Sequence, residues 1–331
     1  MNPALHAAAP LAARSLRPLA LRDGAGVEHL SAASSLVAVG RRLYVVADDE
    51  HHLAIFERDD PAPGLLLRLL DDELPLRQRA RKQAKPDFES LLHLPASRTH
   101  PNGGLLALGS GSRPQRRRAI VLDFDREGGL PVVRRAVDLA PLYDGLAAHF
   151  DDLNIEGAFV TGGEVCLLQR SGSKRASASI RYAARAFLRW VDGLDRAPAP
   201  VCIDLHDLGA IDGIHLGFTD GAGLPDGGWV YCAAAEDTDN AYDDGRCRGS
   251  VIGIVDAQGR HGWQALLEPV CKVEGIAVTS RADGGNELLL VSDADDRTRP
   301  ALLLSATLPA DAVPPMTRTG ITPSPSGRGQ G

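Results

Sequence analysis

The sequence predicts an all-β chain, a β-propeller of five blades with four antiparallel strands each; a sixth blade is the alternative. Three observations predict it. One unit recurs along the chain and is clearest in residues 154–170: an acid, a short apolar strand, a glycine turn and a second apolar strand. Its marker positions are Ser34, Glu89, Glu156, Asp212 and Glu274, spaced 55, 67, 56 and 62 residues apart, an average of 60. A repeat of strand pairs at that period is the signature of propeller blades, and 331 residues suffice for five.

Taken in order, residues 1–14 are Ala-rich and expected to be disordered, and 15–22 reads as an edge strand. Blade one needs strands at 36–39, 43–47, 53–57 and 64–70. Blade two opens at Asp87, has an insertion at 96–104 in its first hairpin, and continues with strands at 119–124 and 131–138 before a short helix at 142–150. Blade three follows its first hairpin with strands at 179–182, 186–190 and 202–208. Blade four has a long turn at 219–228, then strands at 229–233, 250–256 and 263–267. Blade five ends at 301–308 without a fourth strand, so the strand at 15–22 is expected to close the ring and remove its exposed edge. One domain spans 15–310, because a lone blade cannot bury its own faces. The Pro-, Ser- and Gly-rich tail 311–331 is expected to be disordered.

Composition sets limits. A hydrophobic content of 44% supports a sizeable core, and 35 glycines with 22 prolines suit a turn-rich β chain. A net charge of −7 argues against general nucleic-acid binding. The five cysteines are scattered without C-x-x-C spacing, which reads as reduced core thiols. No apolar stretch is long enough for a membrane span and the N-terminus makes a poor signal peptide, so a cytoplasmic protein is expected. The nucleophile-elbow, P-loop and zincin motifs are absent from the sequence.

Antiparallel order puts the start of each first strand and the end of each second strand at one mouth of the channel. Glu89, Glu156, Asp212 and Glu274 are then expected to converge there. Carboxylates that close must be protonated, paired with cations or bound to a metal; hard oxygen ligands suit Ca²⁺ or Mg²⁺, and Ca²⁺ is the ion expected. The loops after the second strands divide by charge. Ser110, Ser112, Arg113, Arg170 and Lys174 form a basic sector fit for a small anion, and Asp237, Asp244 and Asp293 belong to an acidic one.

Lys85-Pro86-Asp87-Phe88-Glu89, the Gly/Ser loop at 108–113, the segment at 240–245 and the openings Ile155-Glu156-Gly157 and Val273-Glu274-Gly275 together resemble a family of uncharacterised bacterial β-propellers. These are distantly similar to the esterase-like phytase domain and to gluconolactonase-like propellers. The resemblance covers residues 30–308 and implies the fold. For the gluconolactonase-like group it also implies a divalent ion in the channel, which maps onto Glu156 or Glu274. The expected function is a metal-dependent hydrolase of an anionic small molecule, a phosphoester or lactone. The alternative is a non-catalytic propeller that binds a small anion or a protein partner on the same face. The catalytic residues are left unassigned.

Overall fold

The computed structural model describes residues 8–22, 28–72, 74–75, 77–170, 176–237, 246–281, 285–310 and 312. Five sheets make five blades. Blade one is Ala33–Val39, Arg42–Ala47, His52–Glu57 and Leu65–Arg68. Blade two is Phe88–Leu94, Gly104–Gly109, Arg118–Phe124 and Pro131–Asp138. Blade three is Ile155–Thr161, Glu164–Gln169, Ser177–Ala183 and Cys202–His206. Blade four has Ile214–Gly223, Trp229–Asp237, Arg246–Val255 and His261–Glu268, with the short strands Ala210–Ile211 and Leu11–Ala12 at its two edges. Blade five is Lys272–Ser280, Asn286–Asp293 and Leu302–Thr307, completed by Arg14–Pro18.

The second strands are apolar without alternation. Leu105, Leu106, Ala107 and Leu108 are all fully buried. Each second strand lies between two neighbouring blades, so both of its faces leave water and period two disappears. The outer strand Pro131–Asp138 has one wet face and shows a mixed burial pattern. Five apolar clusters fill the five blade–blade interfaces. Tyr44 and Val46 meet Leu105 and Ala107, and Leu106 and Leu108 meet Val165 and Leu167. Cys166 and Leu168 meet Trp229 and Tyr231, Val230 and Cys232 meet Leu288 and Leu290, and Leu289 and Val291 meet Leu43 and Val45.

The N-terminal segment joins three blades. Leu11–Ala12 pairs in parallel with Leu267 and Glu268, and Arg14–Pro18 pairs antiparallel with residues 302–305. Leu21 then bridges Gly64 of blade one, and Arg17 donates to Glu57 O at 2.6 Å with its guanidinium over the Phe56 ring. Pairing thus begins at Leu11, closer to the N-terminus than the expected strand at 15–22. The segment 186–190 is part of the helix Ala184–Val191 and not a strand. Phe187, Trp190 and Val191, three and four residues apart, bury one helical face against blades two and three. The helix ahead of blade three is Ala140–Asp144. All five cysteines are free, and Cys166 and Cys232 are buried. No helix among the described residues is long and apolar enough to cross a membrane.

Candidate functional site at the channel mouth

The five innermost strands share one irregularity. Their pairing slips by one residue at Ser34, Glu89, Glu156, Thr219 and Glu274. Such a bulge re-aims the extra side chain. The next residue in each blade is Ser35, Ser90, Gly157, Asp220 and Gly275, a layer of small side chains around one acid. This layer explains the Glu-Gly signature. A Cβ on Gly157 would lie 3.1 Å from Asp220 Cα, and one on Gly275 would lie 2.9 Å from Leu36 N.

Asp220 is the hub of that layer, and the sequence reading passed over it. Its Oδ2 accepts from Ser35 Oγ at 3.0 Å and from Ile276 N at 3.1 Å, and its Oδ1 accepts from Gly221 N at 2.8 Å. Ser35 Oγ in turn accepts from Leu91 N at 3.1 Å. Blades four, five, one and two thus meet at one buried carboxyl, which desolvation holds well above its ordinary pKa. Asp212, the expected blade-four marker, lies elsewhere. It is an exposed residue with φ 51° in the turn between Ala210–Ile211 and Ile214–Gly223. Its Ile-Asp-Gly resembles the marker triplet, but Gly213, at φ 80°, serves the turn.

Above the hub, the mouth holds two groups of charges. In the first, Asp48, Asp87 and Glu89 bring one carboxylate oxygen each within 4.8 Å of one another. Lys85 Nζ pairs with Asp48 and lies 2.9 Å from Asp87 Oδ1. Arg116 Nη1 donates to Asp87 Oδ2 at 2.6 Å, and Ser110 Oγ donates to the same oxygen. Burial lowers the Lys85 pKa, but Asp48 and Asp87 outweigh it and hold the ammonium charged. No side-chain hydrogen bond or ion pair reaches Glu89 among the described residues. Burial and then Asp87, Glu156 and Asp48 push its pKa well up. Three carboxylates face two cations here, and the uncompensated charge falls on Glu89.

In the second group, Lys272 Nζ lies 2.8 Å from Glu236, 3.0 Å from Glu274, 3.3 Å from Asp293 and 3.1 Å from Asp295. Arg170 Nη2 is 2.9 Å from Glu236, and its Nη1 is 3.6 Å from Glu156. Asn154 Nδ2 donates to Glu156 Oε1 at 2.5 Å. Five carboxylates face two cations, leaving three charges over. Burial, first of all, pushes up three of the acids: Glu156 to about 8, Glu274 to about 7 and Asp293 to about 7. Glu236 goes the other way, because Arg170 and Lys272 outweigh its burial.

The structure therefore brings together Glu89, Glu156, Glu274, Ser110, Arg170 and Asp293 of the expected set. Ser112 joins through Arg116, whose Nη1 donates to its Oγ at 2.9 Å. Arg113 is exposed, and Asp237 turns outward to Arg248 at 2.7 Å. Lys174 and Asp244 lie outside the described residues. The expected split into basic and acidic sectors does not persist among the described residues, because Arg116 and Arg170 fold inward onto the acids. The residues missed were Lys85, Lys272, Asp87 and Asp48. A signal was present for two of them: only four lysines accompany 32 arginines, and Lys85 and Lys272 lie four and two residues ahead of a marker acid.

The fold and site define a five-bladed β-propeller with a carboxylate-rich channel mouth. The chain belongs to DUF6929, a family of unknown function whose model matches residues 29–308. No curated protein matches it. Solved structures with a similar trace include a luciferin-regenerating enzyme (9% identity, 85% of this chain and 92% of that chain, TM-score 0.44). Others are an exo-β-1,3-galactanase of Phanerochaete chrysosporium (9%, 90% and 64%, 0.47) and the Dos1 propeller (11%, 87% and 62%, 0.37).

Proposed function

We propose that the channel mouth binds a hard divalent cation, Ca²⁺ being the best match, and that the chain is a hydrolase of a small ester or lactone. The observation that supports this reading is the convergence of Asp48, Asp87 and Glu89, with Glu89 unpartnered among the described residues. Oxygen donors that close suit calcium, and the one negative charge in excess is neutralised either by a proton on Glu89 or by the ion. Bound there, the ion would polarise a carbonyl and lower the pKa of a water. Asp48, Asp87 and Glu89 replace Glu89, Glu156, Asp212 and Glu274 as the ligand set, because Arg170 and Lys272 already meet Glu156 and Glu274. A mouth with surplus carboxylates repels a dianion, so a carboxylic ester or lactone is a better substrate class than a phosphoester.

The second reading is a non-catalytic propeller that binds a small molecule or protein partner on this face. Lys85 favours it, since its ammonium already lies against two of the three ligands. Calcium titration followed by thermal unfolding, with wild type and Glu89→Gln, separates the two. The hydrolase reading expects one ion per chain, stabilisation of about 2.7 kcal/mol at a hundredfold excess over Kd, loss of both in the variant, and chelator-sensitive cleavage of model lactones. A wild-type protein with neither an ion nor a calcium-induced shift would refute it.

A further inference from the structure

We propose a second metal site, on the last strands of two blades and different in chemistry from the channel mouth: a borderline transition-metal ion, Zn²⁺ in the first instance, held by His206 and His261 between blades three and four. The two imidazoles come from the last strands of adjacent blades, 55 residues apart in sequence, and His206 Nδ1 lies 2.8 Å from His261 Nε2. Each ring is oriented by a hydroxyl on its other nitrogen. Ser179 Oγ lies 2.8 Å from His206 Nε2, and Tyr231 OH lies 3.4 Å from His261 Nδ1. That is the arrangement by which outer partners fix a metal-binding imidazole and leave its second nitrogen facing the ion.

The geometry is close to what an ion requires. Zn–N bonds of about 2.0–2.1 Å at a tetrahedral angle place two nitrogens about 3.3 Å apart. The pair has to open by about half an ångström, within the reach of His261, which is only half-buried at the start of its strand. His206 is packed edge-on against Phe218 and Trp229 and supplies the fixed side of the site. In the metal-free pair one of the two facing nitrogens carries the hydrogen they share, and binding an ion requires the tautomer that moves it to the outer nitrogen, facing the Ser179 or Tyr231 hydroxyl. Two protein ligands are fewer than the three or four of most protein zinc sites, so the remaining positions would be filled by water or an exogenous donor.

The test uses the full chain, stripped with chelator and free of any histidine tag. Zinc binding is measured by calorimetry in excess Ca²⁺, which occupies the proposed mouth site, for wild type, His261→Gln, His206→Asn and Glu89→Gln, and cobalt is substituted to read its d–d absorption. The expected result is one zinc per wild-type chain, retained in Glu89→Gln and weakened at least tenfold in His261→Gln, with a cobalt spectrum of nitrogen ligation. Nitrogen-15 spectra of the wild-type imidazoles, which require no variant to fold, are expected to show the His206 and His261 resonances shifting on zinc addition. No zinc binding by the wild type, equal binding by the histidine variants, or unmoved His206 and His261 resonances would overturn the proposal. Loss of zinc in Glu89→Gln with the histidine variants intact would move the ion to the channel mouth and overturn it equally.

Discussion

Two serines at equivalent places make opposite predictions. Ser35 and Ser90 follow the bulge in blades one and two, and both are fully buried. Ser35 Oγ donates to the Asp220 carboxyl and accepts from Leu91 N. Ser90 Oγ makes no hydrogen bond among the described residues. Ser35→Ala orphans a buried amide, which costs about 1–3 kcal/mol, and removes one donor from a buried acid, which costs about as much again. After relaxation we expect a loss of about 3 kcal/mol. With an unfolding entropy of about 2.1 cal/mol/K per residue over roughly 300 ordered residues, that is a fall in Tm of about 5 °C. Ser90→Ala removes an unsatisfied hydroxyl and leaves nothing unpaired, so its Tm is expected to stay level or rise by a degree or two. Differential scanning calorimetry on both variants is the assay. A Ser35→Ala protein within about 1 °C of wild type, or a Ser90→Ala protein that falls as far as Ser35→Ala, would refute the hub.

Three further outcomes follow from the same geometry. Gly275→Ala places a methyl 2.9 Å from Leu36 N and 2.5 Å from Val291 Cγ2, so a loss of roughly 2–3 kcal/mol is expected in urea unfolding, against about 1 kcal/mol or less for a surface alanine substitution. Arg17→Ala removes the donor to Glu57 O and the contact with Phe56, which is expected to lower stability by about 1–2 kcal/mol and to speed proteolysis near the N-terminus. Glu156 has a folded pKa of about 8, above the ordinary carboxyl value. Its stabilising contribution is therefore complete below about pH 4.5 and lost as pH rises toward 8, of the order of 3–5 kcal/mol. Wild type is expected to melt lower at pH 8 than at pH 6, and Glu156→Gln to flatten that slope.

The fold was legible in the chain because its period survives in every blade, and because blade five visibly lacks a strand that residues near the N-terminus supply. The helix Ala184–Val191 was misread because a five-residue window, 186–190, shows apolar residues without enough length to distinguish period two from 3.6. Glu89, Glu156 and Glu274 were legible as marker acids because they sit on the bulge itself. Blade four hid its marker. Its first strand is preceded by the small hairpin at 210–215, which mimics the acid-glycine opening, while the true position reads Phe218-Thr219-Asp220-Gly221. The pairing of Lys85 with Asp48 was illegible because it depends on the approach of the loop after Ala47, a contact 37 residues apart that no local pattern encodes.

The two layers of the channel answer to different demands. The layer of Ser35, Ser90, Gly157, Asp220 and Gly275 packs the innermost strands with one acid and small neighbours, and its hydrogen bonds link blades four, five, one and two. The charged layer above it also crosses between blades, as in Arg170 to Glu236 and Lys272 to Glu236. Taken together, its two groups hold eight carboxylates against four cations, and the leftover charge has to be relieved by raising the pKa of Glu89, Glu156, Glu274 and Asp293. Burying ionised groups that imperfectly matched is destabilising, and apolar residues of similar volume would hold a ring better. On the proposed reading, a layer of this kind at one mouth, where five first strands begin, is kept for a ligand and not for stability. Excess negative charge favours a cation, and in the proposed site Glu89, where Asp48 and Asp87 converge, would be the group that takes it.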